Sequence, residues 1–128
     1  MKVKFYNPAE LDRNIKASIH NTGKLGFTFE AANKLKLSEF KSMLIGRNEE
    51  DPTDENLYVV INDARQEGAF NVNKAGKYYY INTKALFDTF QWDYTKYSII
   101  FNITPSQYEG SEVYIFKKKQ KLRDGEDE

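Results

Sequence analysis

Ile19-His20-Asn21-Thr22-Gly23-Lys24-Leu25-Gly26-Phe27 and Val72-Asn73-Lys74-Ala75-Gly76-Lys77-Tyr78-Tyr79-Tyr80 are two stretches of one kind, offset by 53 positions. Each reads as a strand, a turn holding Gly-Lys, and a second strand. Glycine supplies the backbone freedom such a turn needs. Two extra residues near Asn82-Thr83 carry the comparison onward at an offset of 55. Leu35 then falls on Phe90, Leu37 on Trp92, Lys41 on Lys96, Leu44 on Ile99 and Ile45 on Ile100. At the same offset Tyr58-Val59-Val60-Ile61 falls on Val113-Tyr114-Ile115-Phe116. The chain therefore reads as two copies, about 16–61 and 70–116, of strand, Gly-Lys turn, strand, short helix, strand, loop, strand. Independent resemblance of two β-rich halves is the competing explanation. Element order and apolar positions agree together, which favours duplication.

Working outward, Lys16–His20 and Leu25–Phe29 are strands, with Leu25, Phe27 and Phe29 on one face by alternation. Glu30–Leu35 is a short helix, with Ala31 and Leu35 one turn apart. Ser42–Gly46 and Leu57–Ile61 are strands around an acidic loop, and Asn62–Gly68 is a polar connector. Lys84–Phe90 is a second helix with Leu86, Phe87 and Phe90 as its apolar stripe. Tyr97–Ile103 and Val113–Phe116 are strands joined by a loop over 105–110, and Lys117 onward is expected to fray. Val3 and Phe5 alternate and suggest an edge strand.

Composition sets the bounds. The 128 residues fit one domain, expected over 1–123, with 124–128 as an acidic tail. Nine Tyr, nine Phe and one Trp argue for a packed core rather than disorder. No run approaches the ~20 apolar residues of a membrane helix, and the first residues lack the apolar stretch of a signal peptide. A soluble, cytoplasmic chain with no membrane role is expected. The absence of cysteine excludes disulfides, thiolate metal sites and cysteine catalysis. Nineteen basic and nineteen acidic residues cancel, but four acids crowd Asp124–Glu128 and five more lie among Glu49, Glu50, Asp51, Asp54 and Glu55. The remaining segments are mildly basic. These acids are either solvated loops that favour solubility, or segments that temper a basic face aimed at a polyanion.

Thr22-Gly23-Lys24-Leu25-Gly26-Phe27-Thr28-Phe29-Glu30-Ala31-Ala32-Asn33-Lys34-Leu35-Lys36-Leu37 resembles the AbrB-type swapped-hairpin family of transition-state regulators and MazE-like antitoxins. Lys24 stands where that family has a basic residue after glycine, and Glu30, Leu35 and Leu37 fit its helix and exit. Thr28 replaces the family's proline before the helix. Ala32 and Asn33 replace its basic pair. The second half keeps Gly76-Lys77 and is otherwise divergent. The resemblance implies a mainly β fold with minor helices, in which two swapped-hairpin repeats interlock as one small barrel-like domain. It also implies an intramolecular pseudo-dimer that binds DNA. A unit of about fifty residues has too little core to stand alone, which fits two units in one chain.

His20 is the only histidine, so no histidine dyad or His-rich metal site exists within one chain. No phosphate-binding glycine loop or G-x-S-x-G occurs. The 49–55 acids lack the spacing of a calcium loop. A non-enzyme without metal or cofactor is expected. The candidate nucleic-acid contacts are Lys16, Lys24, Lys34, Lys74, Lys77, Lys84 and Tyr79. Lysines grip phosphate without reading sequence, so modest specificity is expected of a DNA-binding transcription regulator. Alternation sends either Tyr79 or the pair Tyr78/Tyr80 outward, where a tyrosine could stack an unpaired base or pack the barrel rim. Two alternatives stay open: a single-strand binder with a competing acidic tail, and a protein-interaction module using the acidic loop or tail. A homodimer is compatible with each.

Overall fold

A computed structural model describes residues 1–6, 8 and 15–123. The acidic tail, 124–128, lies outside the described residues, as do 7 and 9–14. The first copy comprises β1 (Lys16–Ile19), β2 (Leu25–Phe27), α1 (Phe29–Lys34), β3 (Ser42–Gly46) and β4 (Leu57–Asn62). The second comprises β5 (Phe70–Asn71), β6 (Asn73–Ala75), β7 (Tyr78–Ile81), α2 (Lys84–Thr89), β8 (Tyr97–Tyr108) and β9 (Ser111–Leu122). The protein is mainly β, and one antiparallel sheet runs β5-β3-β4-β9-β8-β1-β2-β7-β6. Its two ends, β5 and β6, are separated in the chain by Val72 alone, so the sheet curls into a nearly closed barrel.

The copies are interleaved. β1 pairs with β8 of the other copy (Ala17 opposite Phe101), and β5 reciprocates with β3 (Phe70 opposite Met43). β2 lies against its counterpart β7, and β4 against β9. Each pairing across the copies is therefore matched by its image. The inward positions fill one core that includes Ile19, Leu25, Val72 and Ile81 from the two turn-bearing hairpins, and Met43, Val59, Phe101 and Phe116 from the others. Burying such side chains stabilises by about 1.5–3 kcal/mol each relative to exposure.

Both helices end the same way. Lys36 (φ 54°) and Gln91 (φ 62°) take the left-handed conformation. Leu37 N–H reaches back to the Ala32 carbonyl (2.9 Å) and Trp92 N–H to that of Phe87 (3.2 Å). These are Schellman closures, with the apolar residue after the turn folded onto the helix. Their starts differ. Thr28 Oγ1 accepts the Ala31 N–H at 3.1 Å and caps α1, whereas Thr83 Oγ1 donates to the Gly23 carbonyl at 2.9 Å. Gly23 (φ 91°) packs so closely on Lys84 that a Cβ there would come within 2.8 Å of the Lys84 Cβ. Thr28→Ala is expected to lower stability by about 1 kcal/mol, read as a shift in the urea midpoint.

Several expectations need correction. Phe29 begins α1 and is 67% exposed, rather than continuing β2 inward. Val3 and Phe5 lie in no strand, and both are exposed. The segment 105–110 is not a loop: Glu109 (φ 51°) and Gly110 (φ 80°) form a two-residue turn, and β8 and β9 run twelve residues each. Lys117–Leu122 is paired strand, not a frayed end. Pro105 is tolerated because β8 has outrun β1 there. Its nitrogen shares parity with Ile103, whose N–H meets the Ile15 carbonyl (2.9 Å), so it points past the start of β1, where no described residue pairs with it. The alignment of the copies also shifts, because the second carries three extra residues between its helix exit and the paired strand, 93–99 against 38–41. Register places Met43 on Phe101 and so Leu44 on Asn102, not on Ile99, and Leu44 is 41% exposed where Ile99 is 1%. Likewise β4 maps onto β9 two positions further along than the offset of 55, with Tyr58 on Ile115.

The acidic stretch is a folded loop. Asp54 accepts from the Tyr58 hydroxyl (2.5 Å) and the Asn56 N–H (2.9 Å), and these bonds hold its carboxyl below the usual range. Arg47 donates to the Asp54 carbonyl (3.1 Å).

Candidate nucleic-acid interface

In β1 and β8 burial alternates, with Ala17, Ile19, Ile99 and Phe101 inward. Lys16, Ser18, Ile100 and Asn102 therefore face outward. On β9, Phe116 points in, so Lys117, Lys119 and Lys121 point out, opposite Asn102, Ile100 and Ser98. All three lysines are exposed. Successive outward lysines stand about 6.5–7 Å apart along the strand. Across the sheet the same face carries His20, Lys24 and Gly26, then Tyr78 and Tyr80 of β7. Among the described residues, no carboxylate occupies an outward position of β1, β2, β7 or the 98–102 and 117–121 stretches of the long hairpin.

A tyrosine pad fills the β2–β7 end. Tyr78 and Tyr80 stack at 6.1 Å between centroids, 19° from parallel. Lys24 Nζ lies over the Tyr80 ring at 4.6 Å, and His20 meets Tyr78 edge-on and bonds its hydroxyl through Nε2. Burial pushes the Tyr78 hydroxyl pKa up. Gly26 makes this seat: any Cβ there would collide with the Tyr78 hydroxyl and reach 2.7 Å from the His20 ring. Gly26→Ala is expected to eject Tyr78 from His20 and cost about 1–3 kcal/mol. Loss of the His20–Tyr78 contact in NMR spectra, with a lower melting temperature, checks this.

The fold gathers only part of the expected set. Lys16 and Lys24 lie on this face, and Lys77 sits exposed at the tip of the adjoining hairpin. Tyr79 points the other way and packs against the core, with Lys74 Nζ 5.5 Å from its ring centroid; the outward pair is Tyr78/Tyr80. Lys34 ends α1, and Lys84 opens α2 in an ion pair with Asp88 (2.8 Å), so neither stands on these strands. The lysines of β9 were missed because that segment reads as a frayed end. Their signal is the spacing Lys117-x-Lys119-x-Lys121, a one-sided strand pattern. His20 is exposed and holds Tyr78.

The described arginines are occupied. Arg47 serves the Asp54 carbonyl, Arg65 those of Glu39 (2.6 Å) and Val72 (3.1 Å), and Arg123 those of Tyr94 (3.0 Å) and Ile19 (3.2 Å). Among the described residues, no group of three or more His, Cys, Asp or Glu is placed to hold a metal ion. Nor is any helix long and apolar enough to cross a membrane. The chain matches no family model, no curated protein and no solved structure.

Proposed function

We propose that this chain is a non-enzymatic DNA-binding protein, a regulator that grips duplex phosphates with the outward lysines of β9, β1 and β2. The observation that carries this reading is the run Lys117, Lys119, Lys121, joined by Lys16 and Lys24 on a face that holds no carboxylate among the described residues. Lysine contacts phosphate as a point charge, giving affinity with little sequence reading. The described arginines, which would read guanine as bidentate donors, are tied to backbone carbonyls. The crossed pairing of the two copies supports a fused pseudo-dimer of the AbrB swapped-hairpin kind, with the cytoplasm as its place of work. A duplex is favoured over a single strand because Tyr78 and Tyr80 already stack on each other and hold Lys24 and His20, leaving no ready platform for a base.

Titration of duplex and single-stranded DNA across a salt series tests the reading. Five phosphate contacts predict a log–log salt slope of about −4 to −5 on duplex. Single-strand preference that Tyr80→Ala abolishes would transfer the function to base stacking. Absence of binding at low salt would reject nucleic acid altogether.

A further inference from the structure

Further along the outer face, over β3, β4 and the turn end of the β8–β9 hairpin, lies a groove of about 900 Å³ lined by Leu44, Val60, Val113 and Tyr108. Glu49 and Glu50 are exposed on its rim and make no ion pair among the described residues. The large exposed apolar side chains fall mostly in two places: Leu44 and Tyr108 on this groove, and Met1, Val3, Phe5 and Tyr6 in the N-terminal arm. The arm alternates Lys2, Val3, Lys4, Phe5, so extended it presents apolar groups to one side and ammonium groups to the other. That is the chemical complement of an apolar floor with a glutamate rim. Within the single chain the arm stands away from any core, with Phe5 87% exposed.

We propose that the groove receives the N-terminal arm of a second copy, Val3 and Phe5 entering over Leu44 and Val60 while Lys4 meets Glu49 and Glu50. Reciprocal exchange closes a two-fold dimer. Phe5 offers roughly 150–250 Å², and Val3 adds its own area on the same side of the arm. Two arms and two grooves thus reach the ~1,000 Å² a specific interface needs. The proposal is independent of the DNA reading, because the groove takes the turn end of the β8–β9 hairpin (Tyr108, Val113) and the lysines its other end (117–121).

The test is sedimentation of the full chain over a concentration series. The wild type should dimerise. Val3→Asp/Phe5→Asp (arm variant) and Leu44→Glu/Tyr108→Glu (groove variant) should each be monomeric with unchanged circular dichroism, since all four positions are exposed. Mixing the two variants should restore a heterodimer through the one intact arm and the one intact groove. A wild type that stays monomeric, a dimer that survives in either variant, or a mixture that stays monomeric would overturn the proposal. Should the groove variant misfold, the arm variant alone decides it: a dimer unaffected by losing Val3 and Phe5 refutes arm exchange.

Discussion

Replacing Lys117, Lys119 and Lys121 together with glutamine is expected to weaken duplex binding by roughly two orders of magnitude near physiological salt. Each lost phosphate contact should also flatten the log–log salt slope by about 0.9, so the slope falls by nearly three. The three side chains are exposed, and the fold should stay within about 0.5 kcal/mol of wild type. Lys34→Gln, on α1, removes the same charge away from these strands and should leave the slope unchanged. Fluorescence anisotropy at several salt concentrations reads both quantities. An unchanged slope in the triple variant would show that the face is merely a solubilising surface.

Trp92→Ala is expected to produce the largest loss of stability. Trp92 follows the left-handed Gln91 and folds back onto α2, where it stacks on Phe87 (5.5 Å) and meets Phe90 (5.0 Å) and Phe101 (6.2 Å). Two cations cover it: Lys118 Nζ lies 4.1 Å and the Arg47 guanidinium 5.6 Å from its centroid. Lys118 also pairs with Glu55 (2.8 Å), which lowers the Glu55 carboxyl pKa, so one indole ties the acidic loop to β9. Truncation should cost about 3–5 kcal/mol. Against a total of roughly 5–15 kcal/mol, that leaves a marginal protein. Trp92→Phe should restore most of the loss. Denaturant midpoints decide the matter: a shift no larger than that of Leu44→Ala, at an exposed position, would mean the cluster contributes little.

Much of the architecture could be read from particular residues. Gly-Lys at 23–24 and 76–77 marked two hairpins, and the pairs Leu35/Phe90 and Leu37/Trp92 located both helix exits although neither left-handed position is a glycine. The apolar residue that closes each turn is what made the match visible. Beyond the helices the comparison slipped, because no local pattern marks the three extra residues between Trp92 and Ile100, and a second slip took 105–110 for a loop, since Glu109 is not a residue associated with a tight turn. A proline nitrogen that points past the start of β1 breaks no described ladder bond, and no local pattern states where a neighbouring strand begins. The same slip hid the β9 lysines. The choice between Tyr79 and its neighbours was likewise undetermined by alternation alone. It was settled by Ile81, whose full burial fixes the parity of β7.

The interleaving of the copies bears on how the chain assembles. Neither half can complete its own hydrogen-bond ladder, so each acts as an obligate template for the other. The connector over 63–69 is the covalent link between them, and a short tether holds its ends at an effective concentration in the millimolar range. Self-capture in cis therefore outcompetes encounter with another molecule. Stiffening or shortening that tether would invert the preference and turn a self-contained particle into a building block for domain-swapped rings and strings.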